Sequence, residues 1–329
     1  MKREKGTMFS YDHRGIKLNG HDFWLDAHRR VPFSFVSHGH SDHLKNHDVI
    51  LATPPTIQFH AFRARQKEAV PLDFGEKYQF EDLTIELFPA GHVLGSAMSR
   101  VELNGISLLY TGDFKMKKSW TAGEIEIPSA DILIMESTFG DPQYICDHSP
   151  DYLQGEIVSF IADCFQHRVT PIILAYALGK AQEVMKMLGD AGYDVRVHSA
   201  AWELAKIYRQ FGVEFTNCTP WKNESVAANQ VLIIPPHALQ YNRVKNLPPR
   251  FRTVFLSGWA NSPTGARFNA DHSVALSDHA DFNELLDFVR QVKPKKIYTT
   301  HGFESFPRYL REIGYDAELL RETGQEGMF

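Results

Sequence analysis

Short apolar runs separated by polar loops fill the first 140 residues of the chain, a pattern that predicts β-strands. Residues 15–18 and 21–25 flank Asn19-Gly20, the residue pair most typical of a tight hairpin turn. Four of the apolar runs end in a loop that carries His, Asp or Glu. Because the interior of a sheet is dry, polar side chains that act together gather where strands end. The pattern therefore predicts a sheet with a functional site along one edge.

Between about residues 144 and 252 the pattern changes, and strands alternate with amphipathic helices. This alternation is typical of a small parallel α/β unit with its own core. The first pattern resumes near Thr253. The sequence therefore predicts a first domain of residues 1–143 and 253–329, interrupted by an inserted domain of residues 144–252.

Helix starts are marked by a few residues. Thr53 precedes two prolines and Ser149 precedes one, as is typical of an N-cap followed by the first helical turn. A further helix is predicted over residues 281–292.

Composition indicates a globular protein of one large domain or two ordinary ones, with 43% hydrophobic residues in 329. A net charge of −5 carries no overall basic field that would favour nucleic acid, although bound cations would offset carboxylates at a site. The three cysteines lack C-x-x-C spacing and are expected to be reduced thiols. The basic start has no apolar signal core, and the longest apolar run, residues 172–178, is too short to span a membrane. A cytoplasmic protein without a membrane partner is expected.

The loop SHGHSDH, residues 37–43, places four potential metal ligands within six residues. Side chains two apart in extended backbone point the same way, so His38 and His40 can share one metal ion. Asp42 and His43 can reach a second. Imidazole and carboxylate suit zinc, and manganese or iron also accept them. An isolated H-x-H is more typical of a surface loop, whereas H-x-H-x-D-H directly after an apolar run favours a metal site.

Further strand ends add His92, Asp113 and Glu136. Taken singly, His92 or Asp113 could be an ordinary turn residue. Together they complete a two-metal set: His38, His40 and His92 on one metal, Asp42 and His43 on the other, and Asp113 bridging both.

In this order along the chain, seven segments resemble the β-CASP branch of the metallo-β-lactamase superfamily: HGHSDH, AGHVLGSA, TGDF, MESTFG, YALGKAQE, SDHADF and TTHG. That branch includes RNase J, the polyadenylation cleavage endonuclease, Artemis and the crosslink-repair exonucleases. Chain length, the compact insert and the last motifs are most similar to the bacterial exonucleases associated with DNA ligase. The resemblance implies an α/β fold, a metallo-β-lactamase αββα sandwich with an inserted α/β β-CASP domain.

The resemblance also implies roles for matched residues. Asp26 would support the metal ligands without binding metal. One zinc site would use His38, His40, His92 and Asp113, and the other Asp42, His43, Asp113 and His301. Glu136, His279 and His301 match the three insert-specific motifs. Artemis-like DNA enzymes carry Val at the third of these, so His301 departs from that subgroup, but the ligase-associated group shares the His.

Phosphodiester hydrolysis would use these residues in distinct catalytic roles. Two cations roughly 3.5–4 Å apart can hold a bridging hydroxide and polarise a phosphoryl oxygen, but they supply no proton to the departing alkoxide. His279 is predicted to be the general acid, with Glu136 accepting a hydrogen bond from its other nitrogen. Alternatively, His279 is a further metal-side ligand or a support, and Glu136 supports the metal loops. Asp42, His279 and Glu136 are the predicted catalytic residues.

Substrate contacts are predicted where hydroxyl, amide or basic groups meet the motifs. The inserted domain is expected to roof the metals and form a cleft for a nucleic-acid strand. The basic run KMKK, residues 115–118, could meet phosphates or lie in a solvated loop. Candidate phosphate contacts, each of which could instead be an ordinary cap or surface residue, are Ser96, Ser137, Thr138, Lys180 and Gln182.

Three enzyme classes fit these features. The first is a DNA exonuclease acting in repair, with two divalent ions per chain (zinc preferred, manganese tolerated) and a functional link to a DNA ligase. The second is an RNA exonuclease or endonuclease with the same chemistry. The third is a hydrolase of small thioesters or lactams, which the insert and the pair of Glu136 and His279 disfavour. A non-catalytic scaffold is a fourth alternative, but scaffolds of this kind are expected to lose ligands, and none is missing here.

Overall fold

Two structural units make up this computed structural model, which describes residues 7–227, 229–240, 247–260 and 269–322. The first unit contains the residues up to Met116, Gly123–Ile145 and the residues from Ala280 onward. The second contains Lys117–Ala122 and Cys146–His279, so it interrupts the first along the chain. Every helix in the described part of the chain is too short or too polar to cross a lipid bilayer.

Two β-sheets form the first unit. One follows chain order through β1 (Phe9–Asp12), β2 (Gly15–Leu18), β3 (Phe23–Leu25), β4 (Phe33–Phe35), β5 (Val49–Ala52) and β6 (Ala69–Pro71). The other runs, from edge to edge, through β19 (Ala317–Leu319), β18 (Lys296–Gly302), β11 (Ile132–Ser137), β10 (Ile106–Tyr110), β9 (Ala97–Leu103), β8 (Leu83–Pro89) and β7 (Lys77–Phe80). Strands β3 to β6 pair in parallel, as do β10, β11, β18 and β19. The predicted hairpin is confirmed, because β2 pairs antiparallel with β3 across Asn19-Gly20.

The two sheets of this unit pack face to face through one apolar core. Along β8 the buried residues alternate as Leu83, Ile85 and Leu87, the period-two pattern of a strand with one buried face. They share their core with Phe23 and Phe35 of the first sheet. The inner faces of both sheets are therefore closed to water.

Helices cover the outer faces. Helix α1 (Pro54–Ala64) packs on the first sheet, and Thr53 caps it by accepting a hydrogen bond from the Thr56 amide. Helices α6 (Phe282–Val292) and α7 (Ser305–Glu312) pack on the second sheet, and a short 3₁₀ helix spans Pro142–Tyr144. Helix, sheet, sheet and helix thus form four layers, which confirms the predicted αββα sandwich.

The second unit is a parallel sheet with helices between its strands. Its order is β14 (Cys218–Trp221), β13 (Asp194–His198), β15 (Gln230–Ile234), β12 (Thr170–Leu174), β16 (Phe251–Leu256) and β17 (His272–Val274). The connecting helices are α2 (Pro150–Gln166), α3 (Lys180–Asp190), α4 (Ser199–Gln210) and α5 (Pro236–Gln240).

The end of this unit differs from the predicted boundary. The sequence pattern returned residues 253–329 to the first domain, whereas the second unit runs to His279. Strand β16 pairs in parallel with β12, and β17 pairs with β16, so both complete the second unit's sheet. Their apolar runs resemble those of the first unit, but backbone pairing assigns them to the second.

Candidate metal centre

Polar residues at strand ends converge in the first unit, as the sequence pattern predicted. The loop of residues 37–43 follows β4, and His92 lies in the turn between β8 and β9. Asp113 follows β10, and His301 lies near the end of β18. In the second sheet β8, β10, β11 and β18 run in the same direction, so their carboxyl ends lie along one edge of the sheet.

The first predicted ligand set is assembled in the structure. Ligand atoms of His38, His40, His92 and Asp113 all lie within 4.8 Å of one another. The Asp113 Oδ2 atom is 3.4 Å from His38 Nε2 and 3.8 Å from His92 Nε2. Nitrogen atoms of His40 and His92 approach to 3.0 Å. Three imidazoles around one carboxylate, largely shielded from solvent, fit the donor set that zinc accepts.

Close backbone packing explains the glycines in these motifs. A Cβ atom on Gly39 would lie 2.8 Å from the Cβ of Phe59, on the helix that covers the sheet. Gly112 has φ +52°, and a Cβ there would lie 2.5 Å from the Cβ of Ser37. The loop that carries Asp113 therefore reaches the His38 loop only because Gly112 lacks a side chain.

Asp26 holds the loop of residues 37–43 in place through hydrogen bonds. It is buried with φ +42°, and its carboxylate accepts hydrogen bonds from the amide of Ser37 (2.8 Å), the hydroxyl of Ser37 (2.5 Å) and the hydroxyl of Tyr110 (3.0 Å). It also bonds Nδ1 of His43 at 2.8 Å. These contacts fit the supporting role predicted for Asp26, because they hold the imidazole of His43 with Nε2 turned away from the carboxylate.

Charge is concentrated around His43. Burial opposes protonation of its imidazole, but the carboxylates of Asp26 and Asp113 outweigh burial and raise the pKa of His43 to about 10. Burial also opposes ionisation of Asp26, yet the charge of His43 and the donated hydrogen bonds leave the pKa of that carboxyl below its usual value. Surroundings that favour a proton on His43 also favour a cation beside it.

The second predicted ligand set is more open. Nε2 of His43 lies 3.8 Å from carboxylate oxygens of both Asp42 and Asp113. The Asp42 side chain is 77% exposed. The ring of His301 lies 5.9 Å from that of His43, on a residue with φ +46° beside a β-bulge. Asp113 contacts both ligand sets, the position expected of a bridging carboxylate.

The two remaining predicted catalytic residues lie in different units. Glu136 is buried in the first unit, where its carboxylate accepts hydrogen bonds from the Phe114 amide (2.9 Å) and the Thr138 hydroxyl (2.5 Å). Glu136 thereby holds the backbone next to Asp113. His279 is the last residue of the second unit, and its amide donates to the hydroxyl of Ser277 at 3.0 Å.

Three of the candidate phosphate contacts form hydrogen bonds in or next to the loops that carry the candidate metal ligands. The Ser96 hydroxyl accepts hydrogen bonds from the amides of His92 (3.1 Å) and the following residue (3.2 Å), which fixes the turn that carries His92. The Ser137 hydroxyl donates to the carbonyl of Thr300 at 3.0 Å, next to His301. Thr138, as described, donates to Glu136.

The other two candidates are buried in the second unit. Gln182 donates hydrogen bonds to the carbonyls of Ala177 and Ala201, both at 2.9 Å, and accepts one from Gly179 at 2.8 Å. Its side chain thus joins the start of α3 to α4. Lys180 forms an ion pair with Asp278. In the basic run, Lys115 is buried and Lys118 is exposed.

Sequence reasoning missed Ser37, Tyr110 and Asp278. Ser37 and Tyr110 hold Asp26, and Asp278 holds Lys180. Each is adjacent in sequence to a motif residue or within a motif, which was the available signal. Their partners are distant along the chain, so their contacts become visible only in the folded protein.

Comparisons with known proteins match this chain to a family of metallo-hydrolases and to several named relatives. Residues 266–320, which include His279 and His301, match the family RMMBL, described as the Zn-dependent metallo-hydrolase RNA specificity domain. The chain is 37% identical over 319 residues to a "Probable DNA ligase" of Opitutus terrae, covering 94% of this chain and 31% of that protein. It is 26% identical over 299 residues to "Endoribonuclease YSH1" of Eremothecium gossypii, covering 72% and 38%. It is 30% identical over 122 residues to an "RNase J-like protein" of Methanocaldococcus jannaschii, covering 36% and 29%. The chain thus spans about a third of the length of these relatives.

Proposed function

Because the chain belongs to the β-CASP branch of the metallo-β-lactamase superfamily, a group of metal-dependent nucleases, we propose that it hydrolyses phosphodiester bonds in nucleic acid. The observation that carries this proposal is the cluster of three imidazoles and one carboxylate at the strand ends of the first unit. A divalent metal ion is the ligand that such a cluster suits best.

Two metal ions per chain, zinc preferred, are part of the proposal. His38, His40, His92 and Asp113 would hold one, and Asp42, His43, Asp113 and His301 the other. When bound, such ions lower the pKa of water toward neutrality and polarise a phosphoryl oxygen. The protein's own contribution is to hold the ligands in place before metal arrives, through Asp26 on His43 and through Glu136 on the loop of Asp113.

His279 is proposed as the general acid that protonates the departing alkoxide. The next residue, Ala280, donates its amide to the carbonyl of Phe114 at 2.9 Å, and Phe114 follows the ligand Asp113. Ala280 itself is therefore held beside the loop of Asp113 within the first unit, and the role of His279 is supported by the match of its SDHADF segment to the second insert-specific motif of the family. The hydrogen bond from His279 to Glu136 stays a prediction. The contacts of Glu136 with Phe114 and Thr138 support the alternative, in which Glu136 holds the loop that carries Asp113.

DNA is the proposed substrate, with an exonuclease acting in repair as the specific activity. Its support is the relative named as a DNA ligase, which aligns with 94% of this chain. A functional link to a DNA ligase is proposed on the same ground. RNA is the second candidate, because the matched family is described by RNA specificity and other relatives are named as endoribonucleases.

A cleavage assay on end-labelled single-stranded DNA and RNA of one sequence tests the proposal, with added zinc or manganese and a chelator control. Chelator-sensitive shortening of DNA from one end, with RNA intact, is the expected result, and Asp113→Ala should abolish it. Preference for RNA would favour the second candidate. Failure to cleave either polymer, together with hydrolysis of a thioester, would refute the nuclease proposal.

A further inference from the structure

A buried ion pair lies beside His279 in the second unit. Lys180 and Asp278 pair through Nζ and Oδ1, and their side chains are 3% and 12% exposed. Removing two charges from water is unfavourable, and apolar residues of similar volume often stabilise a protein as well or better. Lys180 is also the first residue of α3, where the helix dipole disfavours a positive charge. Stability alone is therefore a poor explanation for this pair.

The pair anchors a short turn to a rigid element. Asp278 immediately precedes His279, and the hydroxyl of Ser277 bonds the backbone of His279, accepting from its amide and donating to its carbonyl, both at 3.0 Å. Lys180 is rigid because α3 is buried along most of its length and because the side chain of Gln182 accepts a hydrogen bond from the Gly179 amide at the start of the helix. The turn thus has local hydrogen bonds from Ser277 and a distant attachment to Lys180.

We propose that Lys180, through Asp278, is a positioning residue that holds the imidazole of His279 in the orientation needed for proton donation. This inference rests on the proposed function. It gives Lys180 a role in the departure of the leaving group, in place of contact with a substrate phosphate.

Two substrates with different leaving groups separate this role from a structural one. An oligonucleotide releases an alkoxide, which needs a proton, whereas bis(para-nitrophenyl) phosphate releases a stable phenolate, which does not. The variants are Lys180→Met, Asp278→Asn and the double variant, which leaves no charge buried alone. Lys186→Met is the matched control, because Lys186 pairs with Asp190 on the same helix with side chains 28% and 45% exposed.

His279→Ala should lose about 100-fold or more in oligonucleotide turnover and change little on the aryl ester. Both single variants should show the same selectivity, with about tenfold loss, and the double variant should be no worse than either, because the two residues act as one unit. Metal content should stay at the wild-type level, and Lys186→Met should behave as wild type.

Equal losses on both substrates, or intact oligonucleotide cleavage in the double variant, would overturn the positioning role while leaving the nuclease proposal standing. If His279→Ala itself showed no selectivity, the general-acid assignment would fail, and the positioning role with it.

Discussion

Asp26→Asn tests how the protein orients His43, a proposed metal ligand. The carboxylate of Asp26, 2.8 Å from Nδ1 of His43, favours the proton on Nδ1, so Nε2 is the nitrogen that gives up its proton when a metal ion binds. An asparagine amide in the same place would donate to Nδ1 and move the proton to Nε2. The NH₂ group of the asparagine would also face the hydroxyls of Ser37 and Tyr110, which both donate to one carboxylate oxygen of Asp26 in the wild-type protein. The side chain keeps its shape but loses its orienting function.

The expected magnitude follows from these contacts. Mutation of a group that orients a metal-binding histidine typically weakens metal binding by about 10- to 100-fold. Since binding stabilises the folded state by mass action, a 100-fold weaker affinity removes about 2.7 kcal/mol from the metal-induced gain in the free energy of unfolding. Without metal, breaking the buried pair of Asp26 and His43 should cost about 3 kcal/mol.

Urea unfolding with and without zinc measures both quantities, because each variant serves as its own metal-free reference. Asp131→Asn is the control, because Asp131 accepts two hydrogen bonds from Ser107, both at 2.9 Å, and neither residue is among the proposed metal ligands. The control should lower stability and leave the metal-induced gain unchanged. A wild-type metal-induced gain in Asp26→Asn would refute the tautomer argument.

Further predictions concern the metal loops and acid stability. Asp113→Ala should lose bound metal and activity together, whereas His279→Ala should keep its metal and lose cleavage; metal analysis beside the nuclease assay distinguishes them, and loss of metal in His279→Ala would contradict the assignment. Gly112→Ala should lower the free energy of unfolding by about 2 kcal/mol or more, since the new Cβ would lie 2.5 Å from that of Ser37 at φ +52°, and an unchanged urea midpoint would be incompatible with the close packing. Burial lowers the pKa of His47 to about 4, so the unfolded chain takes up a proton near pH 6.5 that the folded protein resists. Stability should therefore fall by up to about 3 kcal/mol between pH 6.5 and 4, and this part of the slope should vanish in His47→Gln.

Local sequence determined several features of this protein. The Asn19-Gly20 turn, the start of α1 after Thr53 and that of α2 after Ser149 match the structure, because caps and turns involve residues a few positions apart. The clustering of His38, His40, His92 and Asp113 was also predictable. These residues follow apolar strands, and a dry sheet leaves only the strand ends for polar side chains.

Tertiary structure decided what depends on distant partners. Strand β16 has an apolar run like those of the first unit, but its pairing with β12 places it in the second. Lys180 has the sequence context of a phosphate contact, yet its ammonium group pairs with Asp278, 98 positions away. The orientation of His43 likewise depends on Asp26, 17 positions earlier. Local sequence specifies which elements form and which chemical groups they carry, whereas burial and partner choice depend on the packing of the whole chain.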